Sequence, residues 1–205
     1  MIKTVIFDLG NVIVNVDKTN LYRKWAEKSG KNVDEIIDYY GNSPAGKRFE
    51  RGELNSKEFY ETVAMELNLK MNFDDFKKNY CDIFNLNNDV AKIIQKLKKN
   101  FRLILLSNTS ILHYKYIKNK YKILNLFDDY VLSYEVGCRK PNPLIFFEAI
   151  KKSKTLPFNC VYFDDIYGFV FVARLMGIKA FQYKSYEKLL QDLSDAKVLL
   201  LDTKI

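Results

Sequence analysis

Apolar positions along the chain follow two patterns. Short continuous runs read as buried strands: TVIF at 4–7, FRLILL at 101–106, YVLS at 130–133 and CVYF at 160–163. KAFQY at 179–183 and KVLLL at 197–201 are further candidates. Between these runs the apolar positions recur at helical spacing, as at Val90, Ile93, Ile94 and Leu97. Asn142 followed by Pro143 marks a helix start, and Gly177 after a helical run marks a stop. Strands that alternate with helices predict an α/β fold: a doubly wound, Rossmann-like parallel sheet with helices on both faces. One interval breaks the alternation. Residues 15–85 show no strand pattern, only helical stretches around 18–29, 33–40, 56–67 and 73–84. Gly41, Asn42, Ser43, Pro44, Gly46 and Gly52 read as the turns between them. The pattern therefore predicts a core built from 1–14 and 86–205, with an all-helical insert over 15–85.

Composition narrows the class. A chain of 205 residues that is 48% apolar can form one sizeable core and a small second module. No apolar run reaches the roughly 18 residues a membrane-spanning helix needs, so no membrane partner is expected. The start, MIKTVIFDL, lacks the long apolar stretch and cleavage site of a signal peptide. Cys81, Cys138 and Cys160 share no CxxC spacing and read as reduced thiols of a cytoplasmic protein. One histidine, His113, excludes a multi-histidine metal site. The net charge of +8 is compatible with nucleic acid or with small anions. The lysines, however, are spread along helical stretches such as 92–99 and 115–122, and no nucleic-acid motif accompanies them. A solvated basic surface is the expectation. Oligomeric state leaves no mark on the sequence.

Parallel α/β sheets carry their ligand sites at the carboxyl ends of the strands. The first strand ends in Asp8. The second ends in Ser107, Asn108 and Thr109. The third leads to a loop with Arg139, Lys140 and Pro141, and the fourth ends in Asp164 and Asp165. Singly, each has an ordinary reading: a turn cap at Asp8, a cap for the helix near Ser110, an exposed loop lysine at Lys140. The adjacent pair Asp164–Asp165 is the hardest to explain without a ligand, because two neighbouring carboxylates repel unless a cation or donors hold them. Mg²⁺ accepts one or two carboxylates and keeps waters and phosphate oxygens. The set predicts a phosphate-and-metal site. Asp8 is the candidate nucleophile, since carboxylates form aspartyl phosphates. Ser107, Asn108 and Lys140 would hold phosphate oxygens, with the backbone N–H groups of Leu9 and Gly10 as an anion nest.

These signatures, FDLGNV (7–12), LLSNT (105–109), RKP (139–141) and YFDD (162–165) with MGI (176–178), resemble in order those of the haloacid dehalogenase-like hydrolases, most of which are Mg²⁺-dependent phosphatases. The resemblance spans nearly the whole chain. The insert, with FERGELNSKEF at 49–59, looks like the family's cap, which closes over the site and contributes substrate contacts. FDLGNV is similar to a bacterial branch that includes α-glucose-1-phosphate phosphatases. The resemblance implies Asp8 as nucleophile, Ser107 and Asn108 on phosphate, and Lys140 pairing with both. It implies Asp8, Asp164, Asp165 and the Gly10 carbonyl as Mg²⁺ ligands, and a small phosphate ester, such as a sugar phosphate, as substrate. Two departures stand out. Gly10 replaces the second Asp of a DxD motif, the usual general acid–base, with Asp17 or Glu50 as conceivable substitutes. Phe169 stands where the family often has Asn or Asp tying the metal loop. Two alternatives follow: a metal-independent dehalogenase, or a weakly active or non-catalytic phosphate-binding relative. His113 reads as a surface or helix-packing residue and Trp25 as cap core. Arg51 and Lys47 read as reaching either the cleft or solvent.

Overall fold

The computed structural model describes residues 1–198. In chain order the elements are β1 (Thr4–Phe7), β2 (Val14–Val16), α1 (Thr19–Ser29), α2 (Val33–Asn42), α3 (Pro44–Glu50), α4 (Ser56–Leu67), α5 (Phe73–Cys81), β3 (Phe84–Leu86), α6 (Asn88–Leu97), β4 (Arg102–Ser107), α7 (Ile111–Lys120), β5 (Asp129–Leu132), α8 (Ser133–Val136), α9 (Pro143–Ser153), β6 (Cys160–Asp164), α10 (Tyr167–Leu175), β7 (Lys179–Gln182) and α11 (Tyr186–Asp195).

Five strands form one sheet in the order β5-β4-β1-β6-β7, and every pairing in it is parallel. All four side chains of β1 are buried, as expected for a central strand covered on both faces. One face packs Phe7, Leu103, Leu105 and Phe163 into a core that runs on into the helical insert. The other packs Ile6, Ile104 and Tyr162 against α9 and α10. This is the doubly wound Rossmann-like core, with β4 leaving β1 on one side and β6 on the other. The strand order therefore reverses at the carboxyl end of β1, where such sheets leave a crevice.

Helices α1–α5 form the cap. Their centre is aromatic: Trp25 stacks on Phe76 and Tyr80, and Phe49 on Phe59. Two local features differ from the pattern-based expectation. Residues read as turns include α3, which opens with Ser43 accepting from the Ala45 N–H and Pro44 in its first turn. Its Ala45 and Phe49, one helical turn apart, are buried. At the base of the insert, β2 and β3 pair antiparallel, so a short two-stranded ribbon joins cap to core. The run KVLLL falls mostly outside the described residues. No helix among the described residues is long and apolar enough to cross a membrane. The three cysteines are free.

Candidate active site

The carboxylate that ends β1 does not face solvent. Asp8 is 7% exposed and its N–H donates to the Phe163 carbonyl at 2.9 Å, which holds it level with the end of β6. Lys140 reaches it from the loop after α8. Its ammonium donates to Asp8 Oδ1 at 2.7 Å and to Asp164 Oδ2 at 2.6 Å. The Leu106 carbonyl at 3.2 Å and the Tyr162 hydroxyl at 3.1 Å complete its surroundings. The loop carrying Lys140 is held by Asn108, whose side chain accepts from the Lys140 N–H at 2.7 Å and donates to the Lys140 carbonyl at 3.0 Å.

Asp164 is fully buried. Its Oδ1 accepts from the Ile166 N–H at 2.8 Å, and its Oδ2 accepts from Lys140 and from the Tyr162 hydroxyl. Asp165 is half-buried and is tied down twice. Asn11 donates to its carboxylate at 3.1 Å, and Gln182 donates to its backbone carbonyl at 2.9 Å. Asn11 takes the left-handed conformation (φ 54°), and its side-chain oxygen also accepts from the Val16 N–H. The tie that Phe169 lacks is thus made by Asn11 and Gln182. Phe169 instead lays its ring 5.2 Å from the Lys140 ammonium, within cation–π range.

Burial raises the Asp8 carboxyl to about 7; Lys140 opposes the shift and Asp164 adds to it. Burial also raises Asp165, with Asn11 opposing. Burial works against the charge of Lys140, but Asp8 and Asp164 outweigh it and its affinity for protons rises. One ligand atom from each of Asp8, Asp164 and Asp165 lies within 4.8 Å of the others. Three carboxylates this close, two of them pushed toward proton uptake with Lys140 as their shared cation, form a donor set that fits a further hard cation.

Above these groups a cavity of about 160 Å³ opens between core and cap. Leu9, Gly10, Ser107, Asn108 and Thr109 line it from the core, and Lys18, Tyr40 and Glu50 from the insert. Tyr40 and Glu50 also border a second cavity of about 80 Å³ inside the cap, together with Trp25, Ser43 and Arg139. Asp8, Lys140, Asp164 and Asp165 thus cluster together, Asn108 ties that cluster to the cavity, and Gly10 and Ser107 line the cavity itself. Asp17 does not join them: its carboxylate accepts from the Thr19 N–H at 2.9 Å at the start of α1 and is held below the usual range by that contact. His113 is buried, stacked on Tyr80, and hydrogen-bonded to the Tyr80 carbonyl at 3.0 Å, so it packs helix against cap. Arg51 pairs with Glu53 at 2.5 Å, and Lys47 borders the smaller cavity.

The sequence reading passed over Tyr162, Asn11 and Lys18. Tyr162 sits in a continuous apolar strand and shows no polar signal there. Asn11 has a signal: an asparagine after a glycine at a strand end, a pair that suits left-handed backbone. Lys18 has none, because only cap packing brings it beneath Tyr40, 4.5 Å from the ring centre.

The family model for haloacid dehalogenase-like hydrolases matches residues 2–168. The chain is a haloacid dehalogenase-like hydrolase. Among sequence relatives it resembles a D-ribitol-5-phosphate phosphatase of Bacteroides thetaiotaomicron, 28% identical over 190 residues that span 89% of this chain and 92% of the relative. Among solved structures it resembles a member of the same family from that organism, in complex with magnesium and inorganic phosphate. The TM-score is 0.80 at 23% identity, over 90% of this chain and 95% of the other. A predicted haloacid dehalogenase-like hydrolase from Porphyromonas gingivalis matches with a TM-score of 0.81 at 20% identity, over 95% and 98% of the two chains. At these identities the two structures establish the shared fold of this hydrolase family.

Proposed function

We propose that this hydrolase is a Mg²⁺-dependent phosphatase that acts on a small phosphate ester through an aspartyl phosphate on Asp8. The observation that carries the reading is the buried contact of Lys140 with both Asp8 and Asp164 at the point where the strand order reverses. A nucleophilic carboxylate must approach a phosphate of like charge, and this arrangement sets a fixed cation beside it. Asp8, Asp164, Asp165 and the Gly10 carbonyl would hold Mg²⁺. When bound, the ion supplies charge that keeps Asp8 ionised and offsets its repulsion from phosphate.

The protein groups do the rest. Lys140, the Ser107 hydroxyl and the N–H groups of Leu9 and Gly10 bind the non-bridging phosphate oxygens, where charge sits during transfer. Asn108, through its two bonds to the Lys140 backbone, sets the height of that ammonium and borders the same oxygens. Asp8 attacks phosphorus, the ester oxygen leaves toward the cap, and water then cleaves the aspartyl phosphate. The small cavity in the cap, with the unpartnered Trp25 Nε1 beside Tyr40, supports a compact hydroxylated leaving group. The resemblance to a D-ribitol-5-phosphate phosphatase supports a polyol or sugar phosphate.

The test is phosphate release from a panel of polyol, sugar and nucleoside phosphates. The wild-type protein should turn over at least one of them with Mg²⁺ and stop in EDTA. Asp8→Asn should abolish release while its melting temperature stays close to wild type. Turnover that survives in Asp8→Asn contradicts the mechanism.

A further inference from the structure

Position 10 has room for a side chain and carries none. A Cβ built on Gly10 would meet only Val16 Cγ2, at an ordinary 3.6 Å, so close packing does not impose the glycine. The space it leaves belongs to the larger cavity, so any group that exchanges a proton with the leaving oxygen must come from another wall of that cavity. Lys18, Tyr40, Glu50 and His113 are its titratable side chains beyond the Asp8 cluster. His113 is disqualified. Burial lowers it to about 3, and the Tyr80 carbonyl, which can only accept, fixes its proton on Nε2. Burial raises the Tyr40 hydroxyl, with nearby Glu50 adding to the shift, which makes it a weaker acid than free tyrosine. Lys18 faces the Tyr40 ring and is suited to attract a developing negative charge.

Glu50 remains. It ends α3, and Arg139 Nε stands 2.6 Å from its Oε2 in an ion pair bent out of hydrogen-bond alignment. Oε2 is buried, yet a quarter of the side-chain area stays open, and the residue borders both the phosphate cavity and the leaving-group cavity. Its carboxyl therefore lies at the junction where the ester oxygen must depart. We propose that Glu50 is the general acid–base of this enzyme, supplied by the cap in place of a side chain at position 10.

The inference rests on the phosphatase reading. In the first step Asp8 forms a bond to phosphorus and the bond from phosphorus to the ester oxygen breaks. The Glu50 proton passes to that oxygen, giving a neutral alcohol. In the second step Glu50 takes a proton from water as the water oxygen attacks phosphorus. The bond from phosphorus to Asp8 breaks, which restores both carboxyl groups and releases phosphate. Burial raises Glu50 toward the protonated form that the first step needs; Arg139, Lys18 and Lys140 oppose the shift and favour the carboxylate the second step needs.

The test compares leaving groups. With Mg²⁺, wild type and Glu50→Gln are assayed on dinitrophenyl phosphate, whose leaving group needs no proton, and on the best alkyl phosphate from the panel. Glu50→Gln should lose roughly 10²–10⁴-fold in kcat/KM on the alkyl ester. It should lose under tenfold on the dinitrophenyl ester. It should also release a burst of dinitrophenol equal to the enzyme concentration, because the second step has lost its base. Equal losses on both esters, or the absence of a burst, overturn the role of Glu50 even if the variant folds poorly, since misfolding scales both substrates alike. A leaving-group dependence that appears in Lys18→Met and not in Glu50→Gln assigns the role to Lys18 and overturns it too. A wild-type protein that hydrolyses neither ester removes the phosphatase reading itself, which separates that failure from this one.

Discussion

Lys140 has three protons and four oxygens around it: Asp8, Asp164, the Leu106 carbonyl and the Tyr162 hydroxyl. Tyr162 donates to Asp164, so its oxygen is left as an acceptor for the lysine. Lys140, Asp164 and Tyr162 are thus each held by at least two partners, and Asp8 is held by Lys140, an arrangement under which a buried charge is tolerated. His113 shows the opposite case, a titratable ring kept neutral. Its folded value is about 3 against an ordinary 6.5, so in that window the unfolded chain binds a proton that the folded chain refuses. Its contribution to stability is therefore fully present above pH 6.5 and is lost as pH falls toward about 3. A Phe at this position keeps the stacking on Tyr80 and cannot titrate. Urea midpoints of wild type and His113→Phe, measured across that window, should show the wild type falling more steeply with acid. Parallel profiles would contradict the neutral buried ring.

Among the elements, α3 and the turn after it decide where Glu50 stands. Gly52 follows this helix with φ 73°, and a Cβ there would come within 2.2 Å of the Tyr134 carbonyl in α8. Cap backbone and core backbone thus meet at a point where only glycine fits. Gly52→Ala should destabilise the protein by more than about 1 kcal/mol. Gly41→Ala, in α2 with nothing within 4 Å of its Cβ, should change stability by less than that or increase it. Chemical denaturation of the two variants measures the difference, and equal effects would contradict the contact. The same region shows what the sequence conceals. Pro44 and Gly46 read as turn residues, yet Ser43 and Pro44 start a helix whose buried Ala45 and Phe49 anchor it. The pairing of β2 with β3 was illegible because three residues are too few for a pattern, and only the closure of the insert brings them together. The long strands and the capped helices were legible, since continuous apolar runs and N-cap residues are local signals.

At the scale of the whole molecule, the strand-end rule assembled Asp8, Ser107, Asn108, Lys140, Asp164 and Asp165 from four distant stretches, because parallel strands leave all their carboxyl ends on one edge. What that rule does not supply is the opposite wall. Lys18, Tyr40 and Glu50 come from three parts of the insert, and nothing in their spacing shows that they meet above Gly10. Core and cap thus divide the work. In the proposed mechanism the sheet edge holds nucleophile and phosphate and the cap encloses the leaving group; the cap also reaches back to the loop that carries Lys140 through the pairing of Glu50 with Arg139. The measurement that tests the central claim most directly is an acid quench of the wild-type enzyme during turnover of its phosphate ester with Mg²⁺, followed by peptide mapping. The account predicts a phosphate on Asp8, absent when Asp8→Asn is treated the same way. Steady turnover with no phosphate on Asp8, matched by an active Asp8→Asn variant, would contradict it.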